Sequence, residues 1–267
     1  MNNTFGFIGT GNMGGALAKA AAKAMPAENI YLANRTAAKA EALAKELSCH
    51  AVPVEQAAQC GYIFLGVKPQ MMKDLLSELA PILSARQDSF VLVSMAAGLT
   101  MADIQSMAGG EYPVIRIMPN TPVAVGGGTV LYDATENVSD AVLAQFCQNM
   151  RCAGFLDRLP EKLMDAGTAV AGCGPAFACL FMEALADGGV ACGLPREKAM
   201  RYAQQMLLGT AQLAITTGQH PGQMKDAVCS PGGSTIAGVQ ALEDSAFRAA
   251  AIGAVKAAFA RTKELGK

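Results

Sequence analysis

A glycine-rich turn near the N-terminus constrains the fold of this chain more than any other feature. Residues 5–9 form a short apolar run typical of a buried strand, and they lead into Gly9-Thr10-Gly11-Asn12-Met13-Gly14. In this pattern the first glycine permits a tight turn, the second lets a pyrophosphate approach the backbone, and the third lets helix and strand pack closely. An Ala-rich helix is predicted at 16–24, and a helix N-terminus offers free N–H groups and positive potential. The turn therefore predicts a dinucleotide site.

Strand and helix patterns alternate through the first half of the chain, and the second half is helical. The remaining predicted strands are 30–33, 62–67, 90–94, 114–118, 129–132 and 155–156. The remaining predicted helices are 37–47, 71–83, 100–107, 139–150, 161–189 (disturbed at 172–175), 196–217, 221–228, 235–243 and 245–265. Short buried strands between helices indicate a parallel sheet covered on both faces. We therefore predict a Rossmann-like, doubly wound, mainly parallel α/β domain over 1–158 and an all-α domain over 159–267.

The composition bears on partners. Hydrophobic residues make up 52% of the chain and charged residues only 16%, which is low for a soluble monomer. A formal net charge of -1 lacks the basic excess of a nucleic-acid-binding protein. The most apolar stretch, 176–194, is interrupted by Glu183, Asp187 and Gly188-Gly189, which disfavours a membrane span. The composition therefore favours a homo-oligomer with apolar interfaces, with no membrane or nucleic-acid partner.

Cysteine and histidine usage argues against a metal site. The eight cysteines form no Cys-x-x-Cys pair, and the only histidines are His50 and His220. The chain starts with a predicted strand and has no cationic leader, so we expect a cytoplasmic protein with reduced thiols. We expect these cysteines to be mostly small core fillers.

The end of the second predicted strand indicates which dinucleotide binds. NAD-binding proteins usually carry a carboxylate there, but this chain has Asn34-Arg35-Thr36. Arg35 can pair with a 2′-phosphate, and Asn34 and Thr36 can donate hydrogen bonds to it. The sequence therefore favours NADP(H), with NAD(H) left open. The alternative is that Arg35 is a solvated surface residue.

Three later strand ends carry segments suited to the same crevice, because the C-termini of parallel strands face the ligand. The residues expected to bind the cofactor there are Val67, Lys68, Pro69, Met95, Ala96, Ala97 and Asn120. The small residues at 95–97 would leave room for a nicotinamide. Lys68 is a candidate for cofactor contact or for proton donation.

Two segments of the helical half suggest substrate contacts. Glycine and proline at 172–175 are costly within a helix, so they indicate either a close helix crossing or bare backbone against a ligand. The segment 229–236, Cys-Ser-Pro-Gly-Gly-Ser-Thr-Ile, offers backbone N–H groups and hydroxyls just before a predicted helix. This is a suitable seat for a small carboxylate. The alternative is that Ser234 simply caps the helix.

With these segments in hand, the chain resembles pyrroline-5-carboxylate reductases over essentially its whole length. The resemblance rests on 6–14, 67–69, 118–122, 172–177, 186–190, 193–195 and, most specifically, 230–236. It implies reduction of L-1-pyrroline-5-carboxylate to L-proline with NAD(P)H, in dimers formed by the helical domain and often assembled into decamers. It also implies a carboxylate seat formed by Ser230, Gly232, Gly233, Ser234 and Thr235, with Thr235 near the ring nitrogen. Cys173 and Phe177 depart from the Ser and Tyr frequent in the family.

The residues themselves favour reduction of C=N over C=O. Hydroxy-acid dehydrogenases of similar design carry a catalytic Lys on the first helix of the helical domain, but 174–185 contains no Lys or His. A developing alkoxide would lack an acid there, whereas a protonated imine is neutralised as hydride arrives. We expect the carboxylate seat to meet the cofactor domain across a cleft partly shaped by the dimer partner. A hydroxy-acid dehydrogenase and a non-catalytic NADP-sensing regulator remain the alternatives.

Overall fold

The computed structural model describes residues 1–265. The chain divides into two compact units, residues 1–173 together with 258–265, and Gly174–Ala257. The domain boundary at 158/159 stays a prediction, and the last two residues of the predicted helical domain lie outside the described part.

The first unit is built on an eight-stranded sheet with the order β3-β2-β1-β4-β5-β6-β7-β8. Its strands are β1 Phe5–Ile8, β2 Ile30–Ala33, β3 His50–Ala51, β4 Tyr62–Leu65, β5 Val91–Ser94, β6 Val114–Pro119, β7 Gly128–Ala134 and β8 Gly154–Arg158. All neighbouring pairs are parallel except β6 and β7. Those two are joined by the single-turn segment Thr121–Val125, too short for a parallel crossover, so β7 returns antiparallel. The mainly parallel, doubly wound sheet is confirmed.

Helices cover both faces of this sheet. They are α1 Asn12–Ala22, α2 Ala37–Leu47, α3 Val54–Ala57, α4 Met72–Ala85, α5 Met101–Ala108 and α6 Asp140–Met150. Alternate side chains of each strand enter opposite cores, as period-two geometry requires. Phe5, Phe7 and Phe64 lie in one core, and Ile63 and Leu65 lie in the other. The sheet is therefore a buried platform whose exposed chemistry is confined to its edges.

The helical part of the chain begins with α7 Glu161–Gly167 and the π turn Thr168–Gly172. It continues as α8 Gly174–Ala191, α9 Arg196–Thr217, α10 Pro221–Ala227, α11 Ser234–Asp244 and α12 Phe247–Leu265. The single helix predicted over 161–189 is thus interrupted by a π turn, next to the glycines and proline of 172–175. The helix predicted from 245 begins at Phe247, because Ala246 adopts a left-handed conformation with φ 57°.

The second unit has almost no buried interior of its own. Between 174 and 257 the only buried residues are Ala186, Ala199 and Ala203. Large apolar side chains are exposed instead, among them Ile215 at 84% and Leu180 at 69%. Within residues 1–265, one helical stretch, Glu161–Ala191, is long and apolar enough to cross a membrane by length and composition, and 11% of that window is buried. These exposed apolar side chains favour burial against another surface.

The expectation that the cysteines are mostly core fillers is wrong for the single chain. Only Cys60 is buried, and Cys179 and Cys192 are exposed. In the single chain, the apolar residues at 179–192 lie mostly on the surface of a helix. Small side chains in this segment therefore did not indicate a buried core.

Candidate active site

The predicted cofactor residues lie along one edge of the sheet. The strands β2, β1, β4, β5 and β6 are consecutive neighbours and run parallel. Their C-terminal ends therefore carry, in order, the segments that start at Asn34, Gly9, Gly66, Met95 and Asn120. The order of strands along the chain reverses between β1 and β4, and this switch point is where open α/β sheets bind ligands.

Backbone contact at the switch point requires glycine at three positions. Gly9 has φ 101°, and its N–H donates to the carbonyl of Ala33 at 2.8 Å. A Cβ on Gly14 would lie 2.1 Å from the Gly9 carbonyl oxygen, and a Cβ on Gly66 would lie 2.4 Å from the same atom. The turn, helix α1 and the end of β4 are therefore packed backbone to backbone, which fixes the start of α1 against the sheet edge.

The start of α1 is open to a ligand. A Cβ on Gly11 would meet nothing within 4 Å, and no side chain caps the helix there. The hydroxyl oxygen of Thr10 is buried without a hydrogen-bond partner in the described part of the chain. Asn12 is exposed, while Met13 packs against the core and can offer only its backbone. Uncapped N–H groups and an unpaired hydroxyl suit a bound phosphate group.

The end of β2 presents an amide, a guanidinium and a hydroxyl side by side. Asn34 accepts the N–H of Thr10 at 3.1 Å and donates to the carbonyl of Thr36 at 3.2 Å. Its side chain therefore ties the glycine-rich turn to the start of α2. Arg35 and Thr36 are exposed, and no side chain caps α2. A cavity of about 280 Å³, lined by Asn34, by residues of α2 and by residues 51–54, lies beside them.

The ends of β4 and β5 offer mainly backbone to a ligand. Lys68 is exposed, and Pro69 begins a short 3₁₀ turn that leads into α4. Val67 is partly buried against one core. Met95 packs against one core, Ala96 is buried in the other, and Ala97 packs on a small cluster of Met118, Leu131 and Met164. Ala96 is buried and Ala97 is partly buried, so neither places a large side chain at this strand end.

Asn120 directly follows β6, and both the oxygen and the nitrogen of its side-chain amide form hydrogen bonds. Its Oδ1 accepts the N–H of Thr129 at 2.9 Å, and its Nδ2 donates to the carbonyl of Ala171 at 3.0 Å. The residue is 9% exposed. Asn120 therefore connects the sheet edge to the π turn.

The sequence analysis did not predict a buried network of charged residues between β6 and α7. Arg116, 3% exposed within β6, contacts Glu161 and Asp165 of α7 at 3.2 Å each. Glu161 also accepts the N–H of Met101 at 2.7 Å, and its own N–H donates to Asp133 at 2.7 Å. A charged residue inside an apolar strand was the available signal, because a buried arginine needs an acidic partner. The network fixes α7 on the sheet.

In the second unit, the predicted carboxylate seat is a turn followed by an uncapped helix. The N–H of Gly233 donates to the carbonyl of Ser230 at 3.0 Å, and Gly232 has φ 67°. Proline at the second position and a glycine with positive φ at the third are typical of a type II turn. Gly233 is the N-cap of α11, and no side chain caps the helix, so the N-capping alternative for Ser234 is wrong. Ser234 is instead the first helical residue.

The seat presents three hydroxyls and the first N–H groups of α11 to solvent. Ser230, Ser234 and Thr235 are exposed in the single chain. Helix α11 has 11 residues and no acidic residue in its first turn, so its N-terminus favours a bound anion. The arrangement can hold a small carboxylate by charge-assisted hydrogen bonds.

Comparisons with known proteins agree with this geometry. Residues 161–265 match the pyrroline-5-carboxylate reductase dimerisation family, and residues 4–98 match the family described as NADP oxidoreductase, coenzyme F420-dependent. The chain is 39% identical to a pyrroline-5-carboxylate reductase of Pisum sativum over 98% of this chain and 96% of the relative. It is 40% identical to one of Synechocystis sp. over 100% of both chains. A crystal structure of Plasmodium falciparum pyrroline carboxylate reductase with NADP bound matches with TM-score 0.89 and 33% identity, over 99% of this chain and 98% of that one.

Proposed function

This chain belongs to the pyrroline-5-carboxylate reductase family, and we propose that it reduces L-1-pyrroline-5-carboxylate to L-proline with NADPH, the last step of proline biosynthesis. The observation that carries this function is full-length similarity to these reductases together with a dinucleotide turn at the switch point of the sheet. The enzyme is an oxidoreductase acting on a CH–NH group.

NADP(H) fits the residues at the sheet edge. The open space above Gly11, the uncapped start of α1 and the unpartnered hydroxyl of Thr10 together suit its pyrophosphate. We assign the pyrophosphate to Gly9, Thr10, Gly11, Asn12, Met13 and Gly14. We assign the 2′-phosphate to Asn34, Arg35 and Thr36, since Arg35 supplies the positive charge and no carboxylate occupies the strand end.

The nicotinamide end is assigned to the ends of β4 and β5, namely Val67, Lys68, Pro69, Met95, Ala96 and Ala97. The alanines at 96–97 support this assignment, because their small side chains leave room for a flat ring. The cavity beside Asn34 suits the adenine.

The substrate carboxylate is assigned to the turn before α11, with Ser230, Gly232, Gly233, Ser234 and Thr235 as its ligands. The exposed hydroxyls and the uncapped helix N-terminus support this role. Holding the carboxylate fixes the orientation of the ring, so that one face of its C=N bond is presented for reaction. Thr235 is proposed to contact the ring nitrogen.

Bound NADPH supplies a hydride to the carbon of the C=N bond. The chain's own residues need not supply an acid at that step, because the substrate nitrogen already carries its proton and becomes a neutral amine. This agrees with the lack of Lys and His over 174–185. The product nitrogen then takes up a proton, because a secondary amine is protonated near neutral pH, and Thr235 and Lys68 are the two groups proposed to take part in that transfer.

The chain carries the dimerisation domain of its family. We propose that two copies pair through this domain, because the second unit has three buried residues and an extensive exposed apolar surface. Burying one Leu or Ile contributes about 1.5–3 kcal/mol, so covering this surface is strongly favourable. The same burial explains the apolar stretch Glu161–Ala191 without a membrane. Assembly of dimers into decamers and a cytoplasmic location complete the proposal, with no nucleic-acid partner.

The proposal is tested by following NADPH oxidation with L-1-pyrroline-5-carboxylate, with NADH in place of NADPH, and with hydroxy or keto acids in place of the imine. Oxidation with the imine, matched by appearance of proline, is the expected result. Turnover with the oxo acids alone would indicate a hydroxy-acid dehydrogenase. NADPH binding without turnover of any cyclic imine would indicate a regulator.

A further inference from the structure

The side chain of Asn120 is held in one orientation by two unlike partners. Its Oδ1 faces a donor, the N–H of Thr129, and its Nδ2 faces an acceptor, the carbonyl of Ala171. A flipped amide would place donor against donor and acceptor against acceptor. An ionised aspartate, which matches asparagine in size, could accept at one site but could not donate at the other, so the amide matters here through hydrogen bonding rather than through size.

The carbonyl of Ala171 needs this donor because of a proline. In a regular helix it would accept the N–H of the residue four positions later, but that residue is Pro175, which has none. The helix instead makes a π turn at Thr168–Gly172, with the N–H of Cys173 bonded to the carbonyl of Thr168 at 2.9 Å. Asn120 thus replaces a hydrogen bond that the sequence removes. Without Asn120 this partly buried carbonyl would lose its partner, which is unfavourable.

The π turn is fastened to the sheet at two points. Arg116 of β6 contacts α7, which precedes the turn, and Asn120, the residue directly after β6, contacts Ala171 within it. Ala171 also packs on the Met118, Leu131 and Met164 cluster that supports Ala97. The turn is therefore held beside the strand end to which the nicotinamide is assigned, and it leads into the bare backbone of Gly172–Gly174.

We infer that Asn120 is a positioning residue of the reductase: it fixes the π turn at Thr168–Gly172 beside the nicotinamide site and acts through Ala171 rather than as a cofactor ligand. The inference rests on the proposed function and replaces the direct cofactor contact expected for Asn120. Its Oδ1 and its Nδ2 both form hydrogen bonds within the protein. Loss of its donor is expected to reduce turnover and to leave dinucleotide affinity nearly unchanged.

The test uses Asn120→Asp, which keeps the oxygen that faces Thr129 and replaces the donor that faces Ala171 by a second oxygen. Asn149→Asp is the matched control, because Asn149 is also buried and its amide bonds to Gln145 and Asn3, the latter just before β1 and so at the opposite edge of the sheet. The double variant Asn120→Asp with Pro175→Ala restores an N–H for the Ala171 carbonyl. Three quantities are measured: kcat with the imine, the NADPH dissociation constant by fluorescence, and hydrogen exchange of the Cys173 amide.

For Asn120→Asp we expect a fall in kcat of about 10- to 100-fold, the size of effect produced by a misplacement of about 1 Å. NADPH affinity should stay within about twofold, and exchange at Cys173 should accelerate; the double variant should recover at least about tenfold in kcat. Asn149→Asp should lower the melting temperature without changing kcat or Cys173 exchange.

The inference is overturned if NADPH affinity falls as much as kcat, or if Pro175→Ala restores neither kcat nor Cys173 protection. Should Asn120→Asp fail to fold, recovery of folded protein in the double variant supports the inference, and no recovery overturns it. Cys173 exchange does not depend on turnover. A wild-type protein that reduces no imine would therefore refute the proposed function while the coupling of Asn120 to the π turn is still tested.

Discussion

Arg35 offers the sharpest test of coenzyme recognition, because its side chain has no other task in the structure. It is exposed at the end of β2, and among residues 1–265 it takes part in no ion pair. The first turn of α2 contains no acidic residue that would compensate its charge. Replacing it with alanine should therefore change the free energy of unfolding by less than about 0.5 kcal/mol.

The magnitude follows from the hydrogen bond that would be lost. A hydrogen bond to a charged group contributes about 1.5–3 kcal/mol, which corresponds to about 10- to 150-fold in affinity. Because Arg35 is exposed and its interaction is screened by salt, the lower end applies. Arg35→Ala should raise the dissociation constant of NADPH about tenfold and leave that of NADH within about twofold, since NADH has no 2′-phosphate.

The assay is a fluorescence titration of both coenzymes at low and high salt, together with kcat/KM for each. Lys45→Ala is the matched control: it removes the same charge from the exposed far end of α2. The wild type should lose NADPH affinity with added salt more steeply than Arg35→Ala does. Equal weakening of NADPH and NADH, or an equal effect of Lys45→Ala, would refute the phosphate role of Arg35.

Further variants test other parts of the site and its support. Gly14→Ala would place a methyl group 2.1 Å from a backbone carbonyl, so NADPH binding should weaken more than about tenfold, whereas Gly15→Ala meets its neighbours at 3.5 Å or more and should bind normally. Thr235→Ala should raise KM for the imine and leave NADPH affinity unchanged; equal values of KM in both proteins would displace the carboxylate seat. Arg116→Met should lower the free energy of unfolding by about 1–3 kcal/mol in denaturant titrations, because two acidic partners lose their donor. Burial raises the pKa of the Cys60 thiol to about 11, so alkylation at pH 8 followed by mass spectrometry should find Cys60 the slowest of the eight cysteines to react.

The sheet could be predicted from the sequence because its strands are short, buried and apolar. The same reasoning could not find β3 His50–Ala51, since two exposed residues at an edge carry no hydrophobic signal. It also could not give the antiparallel return of β7, which depends on the short connection at Thr121–Val125. In each case the missing information lies in neighbours that are distant in sequence.

The candidate site shows the same limit at the level of single side chains. The glycine-rich turn was predictable because its backbone conformation requires glycine. The role of Asn120 was not, because its partner Ala171 lies 51 residues away and has an unpaired carbonyl only through Pro175. Asn34 is similar: its bond to Thr10 joins the end of one strand to the turn after another. Hydrogen-bond partners of this kind follow from the fold and not from local spacing.

The sparse interior of the second unit connects assembly to chemistry. The turn that carries Ser230 and Thr235 belongs to a unit whose buried residues are Ala186, Ala199 and Ala203 alone. Three buried alanines contribute little hydrophobic stabilisation to a unit of 84 residues. The exposed apolar side chains of its helices can add hydrophobic stabilisation only when another surface covers them. A proposed carboxylate seat held by such helices can keep its geometry only while those surfaces are covered. If two copies pair as proposed, pairing would be a condition for substrate binding, and loss of pairing would weaken substrate affinity.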